Sequence, residues 1–209
     1  MRSNLAPHFL FLTVSLPAPA PRRLSHTRTV VFHGYDREDG LWDIEATLTD
    51  VKPYTFQVPN EPSFPADQPI HGLGIRLTID NDMLIHDVAT SLDHIPHAEC
   101  NQGPMNMHKL KGCRMGKGWR KTIDEKVGGL DGCTHLREML FNMATAAFQT
   151  LPSGQWHRRE LAGQPHPVLE HAPFHLGHCV TWAFDSPTVA RAYPMFYKPR
   201  MPAASNSDN

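Results

Sequence analysis

The chain has 209 residues, 40% of them hydrophobic and 20% charged, with a formal net charge of −1. That is enough sequence for one globular domain with a real core, and it excludes a disordered chain, a collagen and a disulfide-stapled scaffold. Histidine is over-represented, with fourteen against four cysteines, and the pI of 6.9 leaves the charge sensitive to those imidazoles. Charge divides unevenly: residues 1–104 carry seven Lys/Arg and thirteen Asp/Glu, residues 105–209 thirteen and eight.

In chain order, residues 1–25 form a Pro-rich extension, 26–198 a single domain, and 199–209 a disordered tail. The run from Phe9 to Leu16 imitates a signal peptide, but it follows a single basic residue, Arg2, is short, and is flanked by His8 and Pro17. No stretch reaches the roughly eighteen apolar residues of a membrane span, and the cysteines form no CxxC pair. A cytoplasmic protein with reduced thiols and no membrane partner is expected.

Arg28–His33 reads as a strand. Trp42, Ile44, Ala46 and Leu48 alternate with Asp43, Glu45, Thr47 and Thr49, the period of a half-buried strand. Residues 58–69 hold four prolines and read as a loop. Leu73, Ile75, Leu77 and Ile79 alternate again, and Asn81-Asp82 turns the chain into a further strand from Met83, an antiparallel hairpin. A short helix is expected over 116–127. A longer one is capped by Asp131 and carries Leu136, Leu140, Met143 and Ala147 through Thr150, with Cys133 on the same stripe. Residues 152–173 read as a long covering loop, Phe174–Phe184 as a last strand, and Ser186-Pro187 as the start of a short helix. Strands followed by helices predict an α+β fold, an antiparallel sheet with helices on one face.

The segments Tyr35–Glu45, Pro69-Ile70-His71, Ile75–Asp80 and Gly132-Cys133-Thr134-His135-Leu136 resemble the bacterial domain-of-unknown-function family 2889, over roughly residues 17 to 197. That resemblance implies no activity. The order strand, tight turn, strand, cysteine loop and helix opening with cysteine is also similar to the NifU-like iron–sulfur scaffold fold. Matching the three ligand positions of those scaffolds implies His71, Cys100 and Cys133 as metal ligands. An imidazole then replaces the first thiolate, Leu73 stands where the scaffolds have an aspartate, and Gly132 stands where they have a histidine.

Two thiolates and a neutral imidazole suit zinc, with iron as the alternative. A helix N-terminus favours the Cys133 thiolate. Three ligands leave a position open for water or substrate. His97, Glu99 and His135 are the nearby proton carriers, and Arg37, Glu45 and Arg76 are candidate substrate contacts. The bland reading of each is a buried thiol, a loop imidazole or a solvated turn charge.

The expected function is a zinc-dependent enzyme acting on a small, aromatic-bodied organic molecule. A retro-aldol carbon–carbon lyase releasing a small aldehyde is preferred, with hydrolysis close behind. The alternative is a metal or iron–sulfur carrier without catalysis. The basic segment Lys109–Lys121 contains one aromatic residue, Trp119, and no nucleic-acid motif, so the expected partner is a small molecule. A homo-oligomer would supply a second wall to a site at a sheet rim.

Overall fold

The computed structural model describes residues 16–165 and 167–200; the signal-like run up to Ser15, His166 and the tail from residue 201 lie outside them. The described chain divides into two compact units between Gly154 and Gln155.

The first unit is an antiparallel four-stranded sheet in the order β1 (Thr27–Asp36), β2 (Trp42–Val51), β5 (Pro69–Ile79), β6 (Ile85–His94). The segment between β2 and β5 contains a small hairpin of β3 (Phe56–Gln57) and β4 (Ser63–Phe64), whose Phe56 and Phe64 rings stack with centroids 5.0 Å apart. The expected loop over 58–69 therefore includes one short strand. Asp80 shapes the β5–β6 turn: its carboxylate accepts the Asp82 and Leu84 N–H groups at 2.9 and 3.0 Å, and Met83 takes a left-handed φ of 61°.

Alternation on β2 and β5 does the work expected of it. Trp42, Ile44, Ala46 and Leu48 face inward with Leu73, Ile75, Leu77 and Ile79. Burying each large aliphatic side chain contributes about 1.5–3 kcal/mol. Two helices cover this face: α1 (Trp119–Val127) brings Trp119, Ile123 and Val127, and α2 (Thr134–Leu161) brings Leu136, Met139, Leu140, Met143, Ala147 and Leu151. The Trp119 indole N–H donates to the Leu140 carbonyl at 2.8 Å and ties the two helices together. An α+β architecture with helices on one sheet face follows. No NifU-like core is established.

Three expectations fail, the smallest at the start of α2: Asp131 ends a 3-10 turn (Gly129–Asp131) and does not cap the helix, which begins at Thr134. The helix does not end at Thr150 but runs through Pro152 to Leu161, so the expected loop is shorter at its start. A bond within the helix and one tertiary contact accompany the extension. Ser153 Oγ donates to the Gln149 carbonyl at 3.0 Å, and Gly154 lies so close to the Trp42 ring that a Cβ there would stand 2.5 Å from it. Local propensity at Pro-Ser-Gly is overridden by that approach.

The expected C-terminal strand over 174–184 is absent as well; those residues form successive turns. Backbone bonds close locally, as in Gly177 N–H to Trp182 O and Trp182 N–H to Cys179 O, and Gly177 turns the chain with φ +81°. The aromatic residues gather about His175, whose ring is 4.7 Å from Trp182 and 5.5 Å from Tyr193, instead of alternating across a sheet. Beyond them α3 (Pro187–Ala192) begins as the Ser186-Pro187 pair predicts, with Ser186 Oγ accepting the Val189 N–H at 3.1 Å. Among the described residues no helix is long and apolar enough to cross a membrane.

Candidate metal centre

The inward row of β2 does not stop at Leu48. Its next member is Asp50, a carboxylate only 2% exposed at the end of an otherwise apolar stripe. The inward row of β5, read backwards from Ile79, ends in the same way at His71. Strand register sets Arg28, Asp50 and His71 opposite one another on three adjacent strands. Register shifts follow directly, between Asp50 and Val51 on β2 and between Gly72 and Leu73 on β5, as bulges often do beside functional sites. From above, the first turn of α2 delivers His135.

The two oxygens of Asp50 have different surroundings. Oδ1 accepts from Arg28 Nε and His26 Nε2, both at 2.8 Å. Oδ2 accepts from Arg28 Nη2 at 2.9 Å, lies 3.0 Å from His71 Nδ1 and stands 3.9 Å from His135 Nε2. Burial alone would lift the Asp50 carboxyl, but the hydrogen bonds from Arg28 and His26 outweigh it and hold it at about 2. Burial, together with the neighbouring His135, pushes His71 down and favours its neutral, ligating form. The His71 and His135 rings lie with centroids 4.1 Å apart, tilted by 42°.

Asp50, His71 and His135 each offer a donor atom, all within 4.8 Å of one another. Two ligands of one zinc ion, each about 2.1 Å from it, stand at most about 4.2 Å apart. The 3.0 and 3.9 Å separations from Oδ2 lie inside that limit. As a hydrogen bond, 3.9 Å is too long; as the span between two ligands of one ion it is within reach, though wider than the roughly 3.4 Å of a tetrahedral pair. Two imidazoles and a carboxylate suit catalytic zinc or non-haem iron(II).

Of the residues singled out in the sequence, His71 and His135 come together in this group. Cys100 and Cys133 stand outside it. Cys133 lies immediately before α2, its carbonyl accepting the Arg137 N–H, with Sγ 3.8 Å from His135 Nδ1. Burial pushes its thiol up, but the His135 ring and the Leu136 and His135 backbone N–H groups bring it below the usual value. Contact with Cys133 in turn raises His135 despite its burial. Cys100 and Glu99 share with Cys133 an open cavity of about 450 Å³. His97 Nδ1 pairs with Glu61 Oε1 at 3.1 Å.

The expected substrate contacts lie elsewhere. Arg37 is held by Asp39 and Asp43 at the β1–β2 turn. Asp43 and Asp50 are seven positions apart on β2, about 23 Å along an extended strand. Glu45 and Arg76 pair across β2 and β5 at 3.5 Å and line a hollow of about 230 Å³ on the opposite sheet face.

Sequence reasoning missed Asp50, Arg28, His26 and Glu138. The available signal was periodicity: Asp50 falls on the inward phase of β2, where a lone carboxylate needs partners. Its partners come from other strands and from α2, including Arg28, whose Nη1 also donates to Glu138 Oε2 at 2.7 Å.

The family described as "Protein of unknown function (DUF2889)" matches residues 26–149, which contain every residue of the triad and its hydrogen-bond partners. No curated protein and no solved structure matches the chain significantly.

Proposed function

The chain belongs to the DUF2889 family, which lends it no activity, and we propose from its site that it is a metal-dependent enzyme acting on a small organic molecule. Zinc is the preferred ion and iron the alternative. The observation that carries this reading is the convergence of donor atoms of Asp50, His71 and His135, from two strands and a helix, to within 4.8 Å of one another. Three protein donors leave coordination positions for water or substrate. Because Arg28 already offsets the charge of Asp50, a divalent ion here keeps most of its positive charge, which favours Lewis-acid chemistry.

The preferred reaction is a retro-aldol cleavage. A base takes the hydroxyl proton of the substrate, the carbon–carbon bond breaks to release a small aldehyde, and the electron pair left on carbon is quenched by a proton. An ion at the triad supplies stabilisation for the developing negative oxygen. Glu99, in a cavity that Cys133, the neighbour of His135, also lines, is the candidate proton carrier. Hydrolysis by a metal-bound water uses the same residues. The carrier alternative has less support, because neither cysteine belongs to the donor group. Free cysteines suit a cytoplasmic setting.

Metal analysis of the full chain purified without chelator tests the reading. A stoichiometric zinc or iron is expected, lost in His71→Ala and in His135→Ala. Protein devoid of metal, or equal metal in both variants, overturns it. A panel of β-hydroxy carbonyl compounds scored for chelator-sensitive aldehyde release then separates lyase from hydrolase.

A further inference from the structure

We infer that Cys133 serves the centre as a positioning residue and not as a ligand: its sulfur accepts the Nδ1–H of His135 and so turns Nε2 of that ring toward Asp50 and His71. This rests on the metal reading above and departs from the ligand role that the resemblance to the NifU-like scaffolds implied.

The geometry of the imidazole carries the argument. Cys133 Sγ lies on the Nδ1 side of His135, at 3.8 Å, whereas Asp50 lies on the Nε2 side, at 3.9 Å. The two ring nitrogens point away from one another. An ion about 2.1 Å beyond Nε2 is therefore across the ring from the sulfur, well outside the roughly 2.3 Å of a zinc–sulfur bond. A lone pair on Nε2 that binds an ion requires the ring proton on Nδ1, and that N–H needs an acceptor. Sγ is the atom the fold supplies.

The sulfur is held in place for this task. It sits at the entrance to α2, on the residue immediately before Thr134, and the Cys133 carbonyl is already bonded to the Arg137 N–H. Gly103 packs against the base of the Cys133 side chain, so closely that a Cβ at 103 would stand 2.8 Å from the Cys133 Cβ. Arg28 plays the matching part for the carboxylate, gripping both Asp50 oxygens and, through Glu138, the same face of α2 that carries His135. With both cysteines outside the coordination sphere, the ion keeps three protein donors and open positions, as catalysis requires.

Cobalt(II) titration of the chelator-treated full chain tests this by absorption spectroscopy. Wild type is expected to bind a stoichiometric cobalt without the near-ultraviolet sulfur-to-cobalt charge-transfer band of a thiolate ligand. Cys133→Val, which fills the space without an acceptor, is expected to weaken cobalt binding by roughly 10- to 100-fold with an unchanged visible spectrum. Cys133→Ser, whose hydroxyl oxygen accepts, is expected to recover much of that loss, and urea unfolding of both variants separates a folding defect from a binding defect. A charge-transfer band in wild type that vanishes in Cys133→Ser overturns the inference alone, as does unchanged affinity in folded Cys133→Val. Wild type that binds no cobalt overturns the metal reading and this inference with it.

Discussion

Replacing Arg28 with Met measures how much of the site is built from one buried ion pair. Arg28 donates to Asp50 at 2.8 and 2.9 Å and to Glu138 at 2.7 Å. The Asp50 side chain is 3% exposed and that of Arg28 33%. Methionine keeps the aliphatic stem and removes the fork. Losing one partner of a fully buried pair costs about 3–5 kcal/mol; the partial exposure of Arg28, and the contacts Asp50 keeps with His26 and His71, lower this to roughly 2–4 kcal/mol. Half-exposed Glu138 adds at most several tenths. For a protein of this size each kcal/mol moves Tm by about 2–4 °C, so a fall on the order of 10 °C is expected.

The assay is urea unfolding at pH 7 with chelator present, so that no ion adds to the folded state. A double-mutant cycle with Asp50→Asn isolates the pair and should give a coupling of at least about 1.5 kcal/mol. Arg28→Lys should recover less than half of the loss, because an ammonium cannot grip both oxygens. Additive effects in the cycle, or an Arg28→Met variant within about 0.5 kcal/mol of wild type, would refute the reasoning.

Gly154→Ala should lower stability by about 1 kcal/mol although alanine is the better helix former, because overfilling the contact with the buried Trp42 ring outweighs the propensity gain; a more stable variant in the same unfolding assay contradicts that contact. Burial would raise the Asp80 carboxyl, but His86 and the Leu84 and Asp82 N–H groups outweigh it and lower it. A depressed folded value means that its stabilisation is present above the unfolded value of about 3.9 and is lost as pH falls through the folded one. Asp80→Asn should therefore flatten the acid limb of the stability curve, and an unchanged slope refutes the role given to Asp80. Ser186→Ala removes the cap of α3 at a cost of about 1 kcal/mol, so the Val189 amide should exchange faster with solvent while amides of the four-stranded sheet do not change.

Much of the fold was legible because a half-buried strand writes its two faces into alternate residues. Trp42 to Leu48 and Leu73 to Ile79 announced the central strands, and Asn81-Asp82 their turn with β6. Elements stabilised chiefly by contacts distant in sequence were not legible. The stretch of α2 past Pro152 depends on Trp42, and the turns over 174–184 depend on His175 meeting Trp182 and Tyr193.

The candidate site divides in the same way. Residue types offered Cys133 at the head of a helix as a thiolate and His135 two residues on as a proton carrier, whereas His71 was singled out as a metal ligand only through the resemblance to the NifU-like scaffolds. Composition drew attention to histidine, and fourteen imidazoles in one chain left no means of choosing their partners. Strand register chose them. It set Asp50 beside His71, gave Asp50 the Arg28 fork, and left Cys100 in a cavity outside the donor group. By itself the sequence determined which side chains face inward, because that follows from a local period of two. Which of them meet at one oxygen was decided by the tertiary structure alone, because the three donors lie on segments 21 and 64 residues apart, and no local rule specifies how such segments align.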